Sequence, residues 1–245
     1  MTLASQREAW SSPPLDDIGY VDADYLLSIS DREFRHLIMR AIDNRYRGWR
    51  NDGGRWRTLL QLDTTEDKCV LDYGCGVGIE ALQYVSRGNL VWLADISEKN
   101  LQVATRTLNQ MGYEPEGTVL IGKKPAASSF PKLDIVHCCG VLHHIRKPAQ
   151  VVQAMQGWLV PEGELRLMLY SDEGWRLATG TEPPVEVTQS PHFKTWVRWN
   201  DGVGDYADWY DCSRLDERFG NYFRVAACDY ITRDERFLIA TLVTK

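Results

Sequence analysis

Between residues 69 and 170 short apolar runs alternate with stretches of helical periodicity, and this alternation constrains the fold more than any other feature of the chain. The runs are CVLDYG (69–74), LVWLAD (90–95), TVLIG (118–122), LDIVHCC (133–139) and ELRLMLY (164–170). Apolar residues at helical spacing predict helices between them at about 79–87, 98–111 and 148–159. Strands joined through helices pair in parallel, so the pattern predicts an α/β chain built on a doubly wound sheet, mostly parallel, with helices on both faces. Two further runs, YFRVAACDYI (222–231) and RFLIATLVT (236–244), stand only four residues apart. That is hairpin spacing, and it predicts a closing C-terminal antiparallel strand.

Ahead of the alternating region, residues 1–62 read as an N-terminal helical cap. The stretch up to Pro14 is polar and expected to be loose. From Asp31, Phe34, Leu37, Ile38, Ala41 and Ile42 recur at helical spacing, with Ser30 as N-cap and Glu33 completing a capping box. Gly53-Gly54 breaks the next segment, and residues 55–62 form a further helix candidate. Residues 63–245 read as the main domain, interrupted at about 171–214 by an insertion rich in Pro and Trp.

The sharpest local signal is Val70-Leu71-Asp72-Tyr73-Gly74-Cys75-Gly76-Val77-Gly78. A buried strand ends on a carboxylate, and three alternating glycines then open a helix, letting a ligand approach the backbone closer than a Cβ permits. The next strand ends on Asp95, where an acidic side chain accepts hydrogen bonds from ribose hydroxyls. Together these features point to a nucleoside cofactor. Residues 76–81 formally fit the dinucleotide pattern G-x-G-x-x-A. Asp72 argues against it, because a carboxylate beside the loop repels a pyrophosphate. A sulfonium and an ammonium group, as in S-adenosylmethionine (SAM), suit it better.

These motifs resemble the class I SAM-dependent methyltransferases, of the type-11 group with many small-molecule enzymes. The segments LDYGCGVG, LADIS, LDIVHCCGVLHHI and LVPEGELRLMLYS fall in family order over residues 69–171. The resemblance implies a Rossmann-like sheet, SAM as cofactor and S-adenosylhomocysteine as product. It implies that Asp72, Gly74, Gly76 and Gly78 border the methionine part of SAM and that Asp95 holds the ribose. Cys75 in the loop, Ile96 after Asp95 and Cys139 at the end of the fourth strand are further candidate cofactor-binding residues. One departure stands out: where the family often has an acid near the adenine, this chain reads Ile121-Gly122-Lys123-Lys124.

Methyl transfer is a displacement in line, so it needs alignment more than covalent help, and a general base only if the acceptor arrives protonated. His143 and His144 follow the fourth strand, whose carboxyl end faces the crevice where such sheets bind ligands. They are the candidate catalytic residues, His143 first. His137 alternates with apolar neighbours and reads as a core histidine, while Cys138 and Cys139 read as pocket lining.

For the acceptor, two regions offer candidates. Six arginines (40, 45, 47, 50, 55, 57) stand among Tyr46, Trp49 and Trp56, and Arg45 and Arg47 are candidate clamps for an anionic group. In the insertion, Trp175 and Trp196 are candidate walls for an organic substrate; the other reading of its aromatics is a small core that holds the insertion down, with Trp199 and Trp209 as its members. The acidic 201–217 segment would repel a polyanion near the site.

Composition bounds the remaining classes. Hydrophobic residues are 44% and charged residues 25%, which excludes disordered and collagen-like chains. No apolar stretch approaches a membrane span, and MTLASQREAWSSPPLDD lacks a secretory pattern, so a cytoplasmic protein is expected. The charge of −6, from 28 Lys+Arg against 34 Asp+Glu, argues against a nucleic-acid binder. The six cysteines form no C-x-x-C pair and stand at no zinc spacing, so no metal is expected and the thiols should be reduced. The expectation is a methyltransferase acting on oxygen or nitrogen of a small or medium organic acceptor. The alternatives are a tRNA or other nucleic-acid methyltransferase using residues 40–57, or a nucleoside-binding protein without turnover.

Overall fold

In each central strand, neighbouring residues are both apolar and both buried, which only a sheet covered on two faces permits. The computed structural model describes residues 3–15, 18–48, 54–122, 130–200 and 206–245. Its seven strands are β1 (Cys69–Tyr73), β2 (Leu90–Asp95), β3 (Gly117–Leu120), β4 (Leu133–Cys139), β5 (Leu159–Tyr170), β6 (Phe223–Ile231) and β7 (Phe237–Thr244). They form one sheet in the order β3-β2-β1-β4-β5-β7-β6, in which β7 runs antiparallel to both neighbours. The expected doubly wound sheet and its closing hairpin are therefore present. The order reverses between β1 and β4, and in open α/β sheets ligands bind at the carboxyl ends beside such a reversal.

One face of the sheet (Val70, Val91, Leu93, Ile135) packs on α3 (Asp31–Arg47), α5 (Ile79–Val85) and α6 (Glu98–Gln110). The other face (Leu71, Val136, Leu165, Leu167) packs on α7 (Pro148–Trp158) and α10 (Cys212–Phe219). The N-terminal helices share the first core: Phe34, Ile38 and Trp56 belong to the same cluster as Val70 and Val91. Arg106 on α6 pins α2 (Ala23–Ser28) to α3, donating to the carbonyls of Leu26 and Ile29 at 2.6 and 2.8 Å and pairing with Asp31. Ser30 caps α3 as expected, but Glu33 accepts from the Tyr25 hydroxyl, 3.0 Å away. Residues 55–62 shorten to α4 (Arg55–Leu59). Gly53 lies outside the described residues.

Two expectations fail. The stretch before Pro14 contains α1 (Leu3–Ala9) and packs on the sheet's carboxyl end, because its polar residues carry backbone and aromatic groups that find distant partners. The cysteines are not all reduced: Cys212, opening α10, is bonded to Cys228 on β6, a pairing that only the tertiary fold brings together. Cys69, Cys75, Cys138 and Cys139 remain free. No helix among the described residues is long and apolar enough to cross a membrane.

Candidate active site

The glycine loop follows β1 and turns into α5. The amides of Gly74 and Cys75 both donate to the Ala94 carbonyl, at 2.7 and 3.1 Å, tying the loop to β2. Gly74 adopts φ +80°, and a Cβ there would stand 2.2 Å from Cγ2 of Val141. At Gly78 a Cβ would press on Ala104 of α6 at 3.0 Å. Gly76 differs, since a Cβ there would meet only Pro13, at 3.9 Å. The first and third glycines are thus explained by packing, while the second leaves a cradle open to a ligand.

Two buried carboxylates flank that cradle. Asp95, 4% exposed, accepts from the Gly76 amide at 3.0 Å, the Ser97 amide at 2.8 Å and Nδ2 of Asn100 at 3.2 Å. Burial pushes its pKa up to about 6 against the pull of those donors. Asp72, 3% exposed, accepts a single backbone N–H, from Ala81 at 3.2 Å. Burial, then the charge of Glu80, holds its pKa well above the usual range. Neither carboxylate makes an ion pair among the described residues. The cation nearest in chemistry, Arg45, is taken by Glu80, whose two oxygens accept from its Nη1 at 2.7 and 2.6 Å. Burial opposes the charge on Glu80, but Arg45 outweighs it and holds the pKa low. A methionine-type ammonium group and a ribose would meet the groups left over, so the residues present fit SAM.

Cys75 is buried in the loop, and Cys139, half-buried, ends β4. Ile96 follows Asp95 beside the same carboxyl ends. Ile121 donates its amide to the Asp95 carbonyl at 2.8 Å, while Lys123 and Lys124 lie outside the described residues.

His143 and His144 form a 3-10 turn after β4. His143 is fully buried, its ring stacked on Tyr170 at 3.7 Å. Its Nε2 lies 3.0 Å from Nε2 of His144, whose Nδ1 lies 2.9 Å from the Tyr206 carbonyl. Sequence reasoning missed two partners here. Residues 206–210 run beside the end of β5, with Asp208 donating its amide to the His143 carbonyl at 2.9 Å. The N-terminal strap crosses the carboxyl ends: Arg7 donates to the Ile121 carbonyl at 3.4 Å, the Trp10 carbonyl accepts from Asn100 at 2.9 Å, and the Trp10 ring sits 4.8 Å from that of His144.

The substrate candidates stand elsewhere. Arg45 is consumed by Glu80, because a buried guanidinium needs a buried carboxylate. Arg47 is exposed and pairs with Asp43 one turn away, at 3.1 Å. Arg55 pairs with Asp229 and Arg57 with Asp63, while Trp49 and Arg50 lie outside the described residues. Trp175 and Trp196 are both fully buried with ring centroids 5.0 Å apart, and Trp196 packs edge-on against Tyr170. They form the small core that seats α8 (Asp172–Thr179) and α9 (Phe193–Asn200), and present no open wall. The acidic segment is partly neutralised internally, since Asp208 holds both Arg214 and Arg218 and Asp211 caps α10. Asp201 and Asp205 lie outside the described residues. His137 is a core histidine, bonded at Nδ1 to the Tyr84 hydroxyl (3.1 Å), with burial pushing its pKa down to about 4.

A sheet reversing beside a glycine cradle, with carboxylates ending two adjacent strands and an antiparallel strand closing the edge, defines a nucleoside-binding α/β domain. Residues 71–165 match the family model described as a methyltransferase domain. Among curated relatives, the ubiquinone biosynthesis O-methyltransferase of Stutzerimonas stutzeri is 33% identical over 98 residues, 40% of this chain and 42% of that protein. That of Thiobacillus denitrificans is 36% identical over 96 residues, 39% and 41% of the two chains. The chain spans less than half the length of these relatives. Magnesium protoporphyrin IX methyltransferase from Synechocystis PCC 6803, solved with bound SAM, shares the fold at TM-score 0.58 and 18% identity, covering 99% of this chain and 97% of its own. So does a methyltransferase-like protein from Bacillus halodurans C-125, at TM-score 0.58 and 15% identity, covering 76% and 96%.

Proposed function

We propose that this protein transfers a methyl group from SAM to an oxygen of a small or medium organic acceptor. The observation that carries the reading is the pair of buried carboxylates, Asp72 and Asp95, at the ends of adjacent parallel strands with no ion pair among the described residues. They repel a pyrophosphate and attract a ligand bearing an ammonium group and a ribose. When bound, SAM supplies an activated methyl whose bond to sulfur breaks as the acceptor's electron pair attacks. The chain's part is to hold, align and exclude water: Gly76 and Asp95 seat the nucleoside, Asp72 faces the ammonium group, and the strap carrying Trp10 and Pro13 covers both. Residues 1–62 act as a cap on this site, and 171–214 as an insertion bracing its far side.

The names of the curated relatives support an oxygen acceptor, and their resemblance lies in the stretch that holds the site. Calorimetry with SAM, S-adenosylhomocysteine and NAD tests the cofactor. The adenosyl compounds should bind and NAD should not; tight NAD binding without a response to SAM would refute the reading. Formation of S-adenosylhomocysteine in the presence of acceptors separates an enzyme from a nucleoside-binding protein without turnover.

A further inference from the structure

We propose that the Cys212–Cys228 disulfide is a redox switch that sets how firmly residues 206–210 are held against the turn after β4. The contacts involved need no cofactor, so the switch is independent of the methyltransferase reading.

The bond joins the first residue of α10 to β6, the outermost strand on its side of the sheet. Cys212 is exposed and Cys228 half-buried, so a reductant in solvent reaches the sulfurs. The other four cysteines are free, and burial pushes each of their thiols above its ordinary range. A thiol attacks a disulfide only as its thiolate. These four therefore neither scramble the bond nor compete with it for an outside reagent.

Staying docked does not require the bond. Leu215 and Phe219 of α10 are fully buried in one core with Phe223 of β6 and with Leu165 and Leu167 of β5. What the bond secures is the first turn of α10, whose other local hold is Asp211, the cap that accepts from the Arg214 amide at 2.7 Å. That turn carries the link to the site. Arg214, two residues past Cys212, and Arg218, one turn further, both pair with Asp208, at 3.0 and 2.6 Å. Asp208 is 2% exposed and donates its amide to the His143 carbonyl at 2.9 Å, and the Tyr206 carbonyl lies 2.9 Å from Nδ1 of His144. One helix thus supplies two cations to a buried carboxylate whose own backbone braces the turn after β4.

The switching step is exchange with a dithiol. Its thiolate attacks Sγ of Cys212, a mixed disulfide forms, and Cys228 leaves as a thiolate. The reagent's second thiol then displaces Cys212. Two electrons pass to the protein, the reagent ends as a disulfide, and the two protons it gives up end on Cys212 and Cys228. With the bond open the first turn of α10 frays, Asp208 loses the fixed position of Arg214, and residues 206–210 open locally while the sheet stays folded.

Hydrogen exchange read by mass spectrometry on the full chain, oxidised and treated with dithiothreitol, tests this. Alkylation of the denatured chain should find four thiols before reduction and six after it. Amides of residues 206–214 should exchange at least about tenfold faster in the reduced chain, with those of β1 and β4 unchanged. Oxidised glutathione, added after dithiothreitol is removed, should restore slow exchange. The chain with Cys212→Ser and Cys228→Ser should match the reduced form with or without dithiothreitol. Six thiols in chain purified without reductant, or equal exchange of 206–214 in the two forms, overturns the proposal. So does a rise that spreads to β1 and β4 in the reduced or the double-serine chain, which would make the bond a staple of the whole fold.

Discussion

In the proposed complex Asp95 is pulled in two directions, because burial favours its acid form and a ribose contact requires its carboxylate. Its pKa stands at about 6, raised from the ordinary value of a carboxylic acid. The carboxylate is thus available above that pH and lost below it, so SAM affinity should be flat above pH 7 and about tenfold weaker at pH 5. Calorimetry at the two pH values checks this, and Asp95→Asn should flatten the profile. Asp95→Ala should cost about 1.5–3 kcal/mol of binding, and an unchanged affinity would put the ribose elsewhere. For folding the sign is opposite: the native chain holds this proton more tightly, so between about pH 4 and 6 Asp95 favours the folded state increasingly as pH falls. The glycines separate packing from binding in the same way. Gly74→Ala meets Val141 at 2.2 Å with φ at +80°, and should destabilise the fold by about 1–3 kcal/mol in thermal denaturation. Gly76→Ala should cost the fold about 1 kcal/mol from its φ of +52° alone, yet weaken SAM much more, since its open side is the cradle.

At the scale of elements, the strap of residues 7–15 closes over the groups that SAM must reach. Asn100 contributes one amide group to both the Trp10 carbonyl and Asp95, so the strap is tied directly to the carboxylate proposed to hold the ribose. With the cofactor seated as proposed, its exchange requires the strap to lift. Trp10→Ala should raise both association and dissociation rates of SAM severalfold in stopped-flow measurements, with a smaller change in affinity; unchanged rates would show that the strap is no gate. This element was invisible in sequence, and its physics says why. Trp10 finds its partners at Asn100 and His144, whereas periodicity reports only what lies within a few residues. Arg45 misleads for the same reason: its partner, Glu80, lies 35 residues on, inside the helix that the glycine loop opens. The strands were legible because two-sided burial writes itself as continuous apolar runs, such as Val70-Leu71 and Ile135-Val136. Asp72 and Asp95 were legible because a carboxylate ending such a run has no packing reason to be there. Trp175 and Trp196 were legible as aromatics but not as core, since burial of an insertion depends on what it folds against.

For the whole molecule, charge decides between acceptor classes, and here pairing matters more than totals. In a chain of net charge −6, the arginine-rich stretch is where the sequence offers a grip for a polyanion. Its charges are largely committed: Arg45 to Glu80, Arg47 to Asp43, Arg55 to Asp229 and Arg57 to Asp63. A nucleic acid gripping six to ten phosphates gains affinity by releasing counterions, and loses about 10³–10⁵ of it between 50 and 200 mM salt. Arginines already paired have little of that gain to offer, because each new phosphate contact must first break a protein contact. An electrophoretic shift with bulk tRNA and short DNA at about 150 mM salt should therefore show no complex, and low salt should not bring out a steep dependence. Salt-sensitive micromolar binding abolished by Arg47→Ala with Arg55→Ala would show that the exposed pairs open for phosphate. Those two are the discriminating choice: their ion pairs lie at the surface and are worth little to the fold, whereas Arg45→Ala would strand Glu80 in the core and report stability instead.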